Sequence, residues 1–164
     1  MNKKCKKEEY SLLAKRFVKK KASESLNITF DDIIFDTTVN GKPYIKTHPE
    51  FHFNISHTAG AVAVAFGDSP IGVDIEKIRK VDMRVAKRFF TESEKETIKT
   101  EADFFKVWTK KEAYIKKNGL TISSLRYADS QNIHTIEYNG YIISVSTDSN
   151  EKNIPIILEN SFNI

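Results

Sequence analysis

Three acids and the lysines around them carry the chemistry this chain could do. In Ile71-Gly72-Val73-Asp74-Ile75-Glu76 the acids alternate with aliphatic residues. Side chains at i and i+2 of a strand share a face, with Cα atoms about 6.5 Å apart. Asp74 and Glu76 therefore stand side by side, with Gly72 leaving room above the backbone. Like charges so placed repel, and a pKa rises unless something positive sits between them. For two such residues alone, a polar strand face open to water is an equal alternative. A third acid comes from the segment Phe104 to Asn118, where Phe104, Trp108 and Ile115 centre an apolar stripe and Glu112 lies at its margin. The simpler account of Glu112 is an ion pair with Lys116 at i+4, worth a few tenths of a kcal/mol (about 0.3–0.5) on an exposed helix. Oxygen donors without Cys or His spacing suit a hard ion, and Mg²⁺ commonly keeps waters and shares substrate phosphates with one or two carboxylates. Phosphate chemistry follows. Zinc is disfavoured, because His48, His52, His57 and His134 show no zinc spacing.

These residues need elements to hold them. Tyr10, Leu13, Ala14, Phe17 and Val18 repeat at helical spacing, so residues 7–21 read as an amphipathic helix with lysines outward. "ITFDDIIF" and "KPYIKT" read as short strands around a turn at Asn40-Gly41. Phe51, Phe53 and Ile55 alternate, as do Val62, Val64 and Phe66, with Ser56-His57-Thr58-Ala59-Gly60 between them, a hairpin pattern. Ile71, Val73 and Ile75 share one face of the strand that carries the acids. A helix from about Met83 to Phe90 follows, and Thr91-Glu92-Ser93-Glu94 fits a capping box. Phe104 to Asn118 is the best-defined helix, ended by Gly119. "NIHTIEY" and "YIISVSTD" read as strands around Asn139-Gly140. Helices with mostly antiparallel strands give an α+β class.

The 164 residues suffice for one core. Cys5 has no partner in the chain and reads as an idle surface thiol, which points to a reducing, cytoplasmic setting. No run approaches the ~20 apolar residues of a membrane span. Twenty-six Lys+Arg against 22 Asp+Glu leave a net charge of +4, concentrated in residues 3–21 and able to attract any acidic partner.

Together, "GKPYI" (41–45), "FNISHT" (53–58), "IGVDIE" (71–76), "AKRFFTESE" (86–94) and "FFKVWTKKEAYIKKNGL" (104–120) make the chain resemble the surfactin-type 4′-phosphopantetheinyl transferases, which move phosphopantetheine from coenzyme A onto a carrier-protein serine. The resemblance is good from about Phe30 to Leu120. It implies two similar α/β lobes in a pseudo-twofold monomer, residues 1–75 and 76–164, with the cleft between them. It matches Asp74, Glu76 and Glu112 to magnesium ligands, and Lys42, Pro43, Ser56 and His57 to coenzyme A contacts, His57 near the 3′-phosphate. Lys111 and Lys116 match the lysines of the W-x-x-K-E-x-x-x-K helix, both facing coenzyme A. Lys116 would then neutralise or protonate departing 3′,5′-ADP, and Glu112 or a metal-bound water would take the serine proton. Trp108 is read as packing that orients the helix. Usual members begin with an extra strand, a basic segment and an arginine where this chain has Tyr10-Ser11, so the resemblance implies either weaker nucleotide affinity or a partner chain that completes the site.

Two other functions compete. A catalytically idle binder of carrier protein or coenzyme A would fit the start, against which stand all three carboxylates and both helix lysines. A nucleic-acid-binding domain would rest on the Lys-rich helix alone, with no aromatic or groove-reading motif. Neither nucleic acid nor membrane is the expected partner.

Overall fold

The computed structural model describes residues 3–129, 133–148 and 157–158. The first helix, α1 (Lys3–Leu26), runs past the expected 7–21 at both ends. Ala14, Val18 and Ala22 recur every fourth residue on its buried side, with Tyr10, Leu13 and Phe17 packed beside them. Asn27 at φ +53° ends it in the left-handed conformation that helix C-termini favour.

The expected strand over 28–35 shrinks to its last residue. Asp32 Oδ2 accepts hydrogen bonds from Thr29 N (3.1 Å) and Thr29 Oγ1 (2.7 Å), which curls residues 29–32 into a turn. What remains is β1 (Phe35–Thr37), paired with β2 (Pro43–Ile45) across the predicted Asn40-Gly41 turn.

Next come β3 (His52–Thr58) and β4 (Ala61–Gly67), paired antiparallel along their whole length. Ser56, His57 and Thr58 belong to β3 rather than to the loop, and the turn is only Ala59-Gly60, with Gly60 at φ +83°. The acidic strand is β5 (Ile71–Lys77). Two short helices follow, α2 (Arg84–Phe89) and α3 (Glu92–Glu96), the second opened by the predicted Thr91–Glu94 capping box.

The long helix α4 (Glu101–Lys117) starts on a further capping box, Thr100–Asp103. It stops where Gly119 takes φ +63°, with Leu120 N donating to Ile115 O (2.8 Å). After a 3₁₀ turn (Ile122–Tyr127), β6 (His134–Tyr138) and β7 (Tyr141–Thr147) form a hairpin. Its two turn residues, Asn139 and Gly140, both have positive φ, which suits the strand twist. The last element is β8 (Ile157–Leu158); the rest of the tail expected as strands lies outside the described residues.

The strands assemble as β1-β2, β3-β4-β8 and β5-β7-β6. A division at 75/76 is not how the sheets divide: β5 straddles that point and pairs with β7, while β8 pairs with β4. The fold is α+β, with a three-stranded antiparallel sheet and a helix on its outer side occurring twice. Val62 and Val64 of β4 join the α1 core, whereas Ala61, Ala63 and Ala65 meet Ile71, Val73 and Ile75 of β5 and Ile143 and Val145 of β7. Small residues on one strand let the two sheets approach closely. The even positions of β5, Gly72, Asp74 and Glu76, are thereby left facing α4. Among the described helices none is long and apolar enough to cross a membrane.

Candidate active site

Gly72 decides how close α4 comes to β5. A Cβ there would stand 2.1 Å from Ala113 O and 2.4 Å from Lys117 N, so the helix backbone rests directly on the strand. Buried hydrogen bonds fix the rotation of α4: the Thr109 and Ser144 hydroxyls are 2.7 Å apart, and Thr109 Oγ1 also donates to Phe105 O (2.8 Å). Trp108 stacks on Phe104 with its ring plane 10° away, the packing role expected of it. With α4 so held, Glu112 and Lys116, one turn apart, fall over Asp74.

Lys116 Nζ donates to Asp74 Oδ1 (2.6 Å) and to Ser56 Oγ (2.9 Å), and Ser56 Oγ donates to the same Asp74 oxygen (2.8 Å). Asp74 is only 5% exposed, and among the described residues its other oxygen, Oδ2, is the buried side-chain atom without a hydrogen-bond partner. Burial, then the Asp74 charge, push Glu112 up from 4.5 to about 7; Lys116 pulls the other way and Glu76 adds a smaller push. Glu112 therefore feels both other acids and one lysine. Glu76 is partly committed: its Oε2 accepts from Arg79 Nη1 (2.7 Å) and Thr58 Oγ1 (3.2 Å). Arg79 is itself laid over the Phe105 ring at 4.8 Å.

Of the expected ligand contacts, Lys42 lies nearby but is turned inward, donating to Ile71 O (3.0 Å) and Lys117 O (3.2 Å). There it caps the C-terminal end of α4, and burial, aided by Lys117, lowers its pKa. Pro43 lines a pocket of about 120 Å³ with Lys42, Tyr44, Phe51 and Phe53. His57 stands at the β3 end, its ring 5.9 Å from Tyr10. That end is clamped from two sides, since Gly60 N donates to Tyr10 Oη (2.9 Å) and Tyr141 Oη donates to Ala59 O (3.1 Å).

Lys111 is not brought to the acids. It is fully buried, and its ammonium donates to both oxygens of Glu94 (2.8 and 2.9 Å), tying α3 to α4. Burial opposes ionisation of Glu94, but Lys111 and Thr91 outweigh it and hold the carboxyl below its usual range. The resemblance matches Lys111 to coenzyme A, but one helical step turns it about 100° away from Glu112 and into the core.

The sequence reading missed Asn54, Thr58 and Arg79. Asn54 Oδ1 accepts from Val73 N (2.9 Å), and Ser56 Oγ lies 3.4 Å from Ile75 N, so β3 side chains cover the free edge of β5. The signal was present in "FNISHT": polar residues at 54, 56 and 58 share one strand face.

Among the described residues, no group of three His, Cys, Asp or Glu side chains is arranged to hold a metal ion as it stands. Lys116 and Arg79 instead neutralise Asp74 and Glu76. The donor set nonetheless fits a hard divalent cation, for it is all oxygen and includes the unpartnered, buried Asp74 Oδ2.

A family model described as the 4′-phosphopantetheinyl transferase superfamily matches residues 70–159, which include β5, α4 and every acid of the site. The chain belongs to this superfamily. A second model, the N-terminal part of 4′-phosphopantetheinyl transferases, matches residues 3–68. The chain is 39% identical over 119 residues to the 4′-phosphopantetheinyl transferase psf-1 of Bacillus pumilus, covering 69% of this chain and 51% of that one. It is 37% identical over 119 residues to the transferase Sfp of Bacillus subtilis, covering 69% and 53%. To the human L-aminoadipate-semialdehyde dehydrogenase-phosphopantetheinyl transferase it is 31% identical over 130 residues, covering 67% and 42%. This phosphopantetheinyl transferase-family chain spans about half the length of the curated relatives it matches.

Proposed function

We propose that the protein transfers 4′-phosphopantetheine from coenzyme A to a serine of an acyl or peptidyl carrier protein, with Mg²⁺, releasing 3′,5′-ADP. The observation that carries the reading is the meeting of Asp74, Glu112 and Lys116 over Gly72, inside the region the family model covers.

Asp74, through its unpartnered Oδ2, and Glu112 would hold the cation, with Glu76 joining once it shares or leaves Arg79. Bound there, Mg²⁺ supplies positive charge to the diphosphate, and catalysis of such a transfer is mostly positioning and electrostatic stabilisation. Lys116 brings a second positive charge to the departing 3′,5′-ADP. Glu112, or a water held by the cation, would accept the serine proton. The serine oxygen bonds to the phosphorus that bears the pantetheine arm, the bridging P–O bond to ADP breaks, and the serine proton passes to that base. All these side chains come from one chain, which supports a monomer as the working unit, and the net charge of +4 suits an acidic carrier protein.

Intact-mass spectrometry of an apo carrier protein incubated with the protein, coenzyme A and Mg²⁺ tests the reading. A gain of one phosphopantetheine is expected. Binding without a mass change would replace the transferase by a catalytically idle binder.

A further inference from the structure

We infer that Arg79 is a positioning residue: a built-in counter-ion that holds the Glu76 carboxylate, weakens the grip of the site on a divalent cation, and gives way when an ion takes Glu76. The inference rests on the cation-assisted reading above, and its test follows ion binding rather than turnover.

Arg79 Nη1 donates to Glu76 Oε2 at 2.7 Å and to Lys77 O at 2.9 Å. Its guanidinium carbon lies 4.8 Å from the centroid of the Phe105 ring, and Phe105 is a buried residue of α4. Phe105 precedes Glu112 by seven residues, about two helical turns, so the ring and the acid lie on one side of the helix. A planar guanidinium fixed by a carboxylate, a carbonyl and an aromatic face is held in place in advance, at less entropic cost than a free chain end. Thr58 Oγ1 donates to the same Glu76 oxygen at 3.2 Å. Oε2 of Glu76 therefore has two protein donors.

The two counter-ions of the site differ in how easily they leave. Lys116 has a side chain only 28% exposed, and it can stay on Asp74 Oδ1 while Oδ2 of the same carboxylate meets an ion. The Arg79 side chain is 55% exposed, so its head group reaches water by rotating away from the end of β5, with little desolvation to overcome. A divalent ion on Glu76 would stand close to that guanidinium, where like charges repel. Binding through Glu76 must therefore displace or strain the Arg79 bond, and removing the arginine removes that opposition. By this competition Arg79 sets how firmly the site keeps an ion when no diphosphate shares it.

The test titrates wild type, Arg79→Gln and Arg84→Gln with Mn²⁺ in the absence of coenzyme A, reading the free ion by electron paramagnetic resonance. Arg84 is an exposed arginine paired with Asp82, so its replacement removes the same charge without touching Glu76. Loss of a largely exposed ion pair shifts an equilibrium about two- to fivefold. Arg79→Gln should therefore tighten Mn²⁺ binding about two- to fivefold, while Arg84→Gln stays within about 1.5-fold of wild type. In a Glu76→Gln background the same Arg79→Gln change should have no effect, because the carboxylate they contest is gone. Unchanged or weaker binding in Arg79→Gln, an equal gain in Arg84→Gln, a gain that persists with Glu76→Gln, or no ion bound by any of these proteins overturns the inference. Should wild type bind Mn²⁺ and yet transfer nothing to a carrier protein, the transferase reading falls while the titration still decides the role of Arg79.

Discussion

Replacing Glu112 by glutamine should flatten a pH dependence of stability that wild type carries. In the folded protein the Glu112 carboxyl is raised from 4.5 to about 7, first by burial and next by Asp74. The native state therefore holds this proton more tightly than the unfolded chain does. Its contribution to stability is complete below about pH 4.5 and is lost as pH rises through about 7. At 1.36 kcal/mol per pKa unit the span from 4.5 to about 7 caps the loss at about 3.4 kcal/mol. Glu112 is only half-buried, so solvent screening reduces the expected loss to about 1–2 kcal/mol. Glutamine keeps the shape and cannot ionise. Urea unfolding at pH 5 and pH 8 in the presence of a chelator, on wild type and Glu112→Gln, isolates the effect because all other titrating groups are common to both. Wild type should lose about 1–2 kcal/mol more than the variant between the two pH values. Parallel behaviour within about 0.5 kcal/mol would mean that Glu112 is not pressed against Asp74, and the site geometry would be wrong.

Gly72→Ala should cost about 3 kcal/mol or more in chemical denaturation, because its Cβ meets helix backbone that cannot yield without moving α4 off β5. Glu94→Ala should cost about 3–5 kcal/mol by leaving the Lys111 ammonium buried and unpaired, and Glu94→Leu with Lys111→Met should recover much of it in the same assay. Millimolar Mg²⁺ should raise the melting temperature of wild type and leave Asp74→Asn unmoved; at a hundred times Kd the stabilisation is about 2.7 kcal/mol. Equal shifts in both proteins would remove Asp74 from the cation site.

The elements that hold the site were legible where side-chain periodicity met a strong terminator. Alternation of Ile71, Val73 and Ile75 set the face of β5, and Gly119 fixed the end of α4. Residues 28–35 misled because their strand-forming composition is overridden by a local side-chain bond, Thr29 to Asp32, that composition does not register. Within the site, strand spacing put Asp74 and Glu76 on one face and the helix wheel put Glu112 at the margin of the apolar stripe, whereas their meeting with Lys116 was expected from the resemblance. The place of Lys111 was not legible. Its partner, Glu94, lies 17 residues away, and the bonds of Ser56 to Asp74 and Lys116 likewise join residues distant in sequence. Such pairings exist only once the chain is folded. The close approach at Gly72 was readable as room above a strand, and only the fold shows that a helix backbone fills that room.

A crystal of the protein soaked in Mn²⁺, read by anomalous scattering, addresses the central claim most directly. The account predicts one strong site bonded to Asp74 Oδ2 and a Glu112 oxygen, with Lys116 still at Asp74 Oδ1. A metal bound elsewhere, with Asp74 and Glu112 sharing no ion, would contradict it.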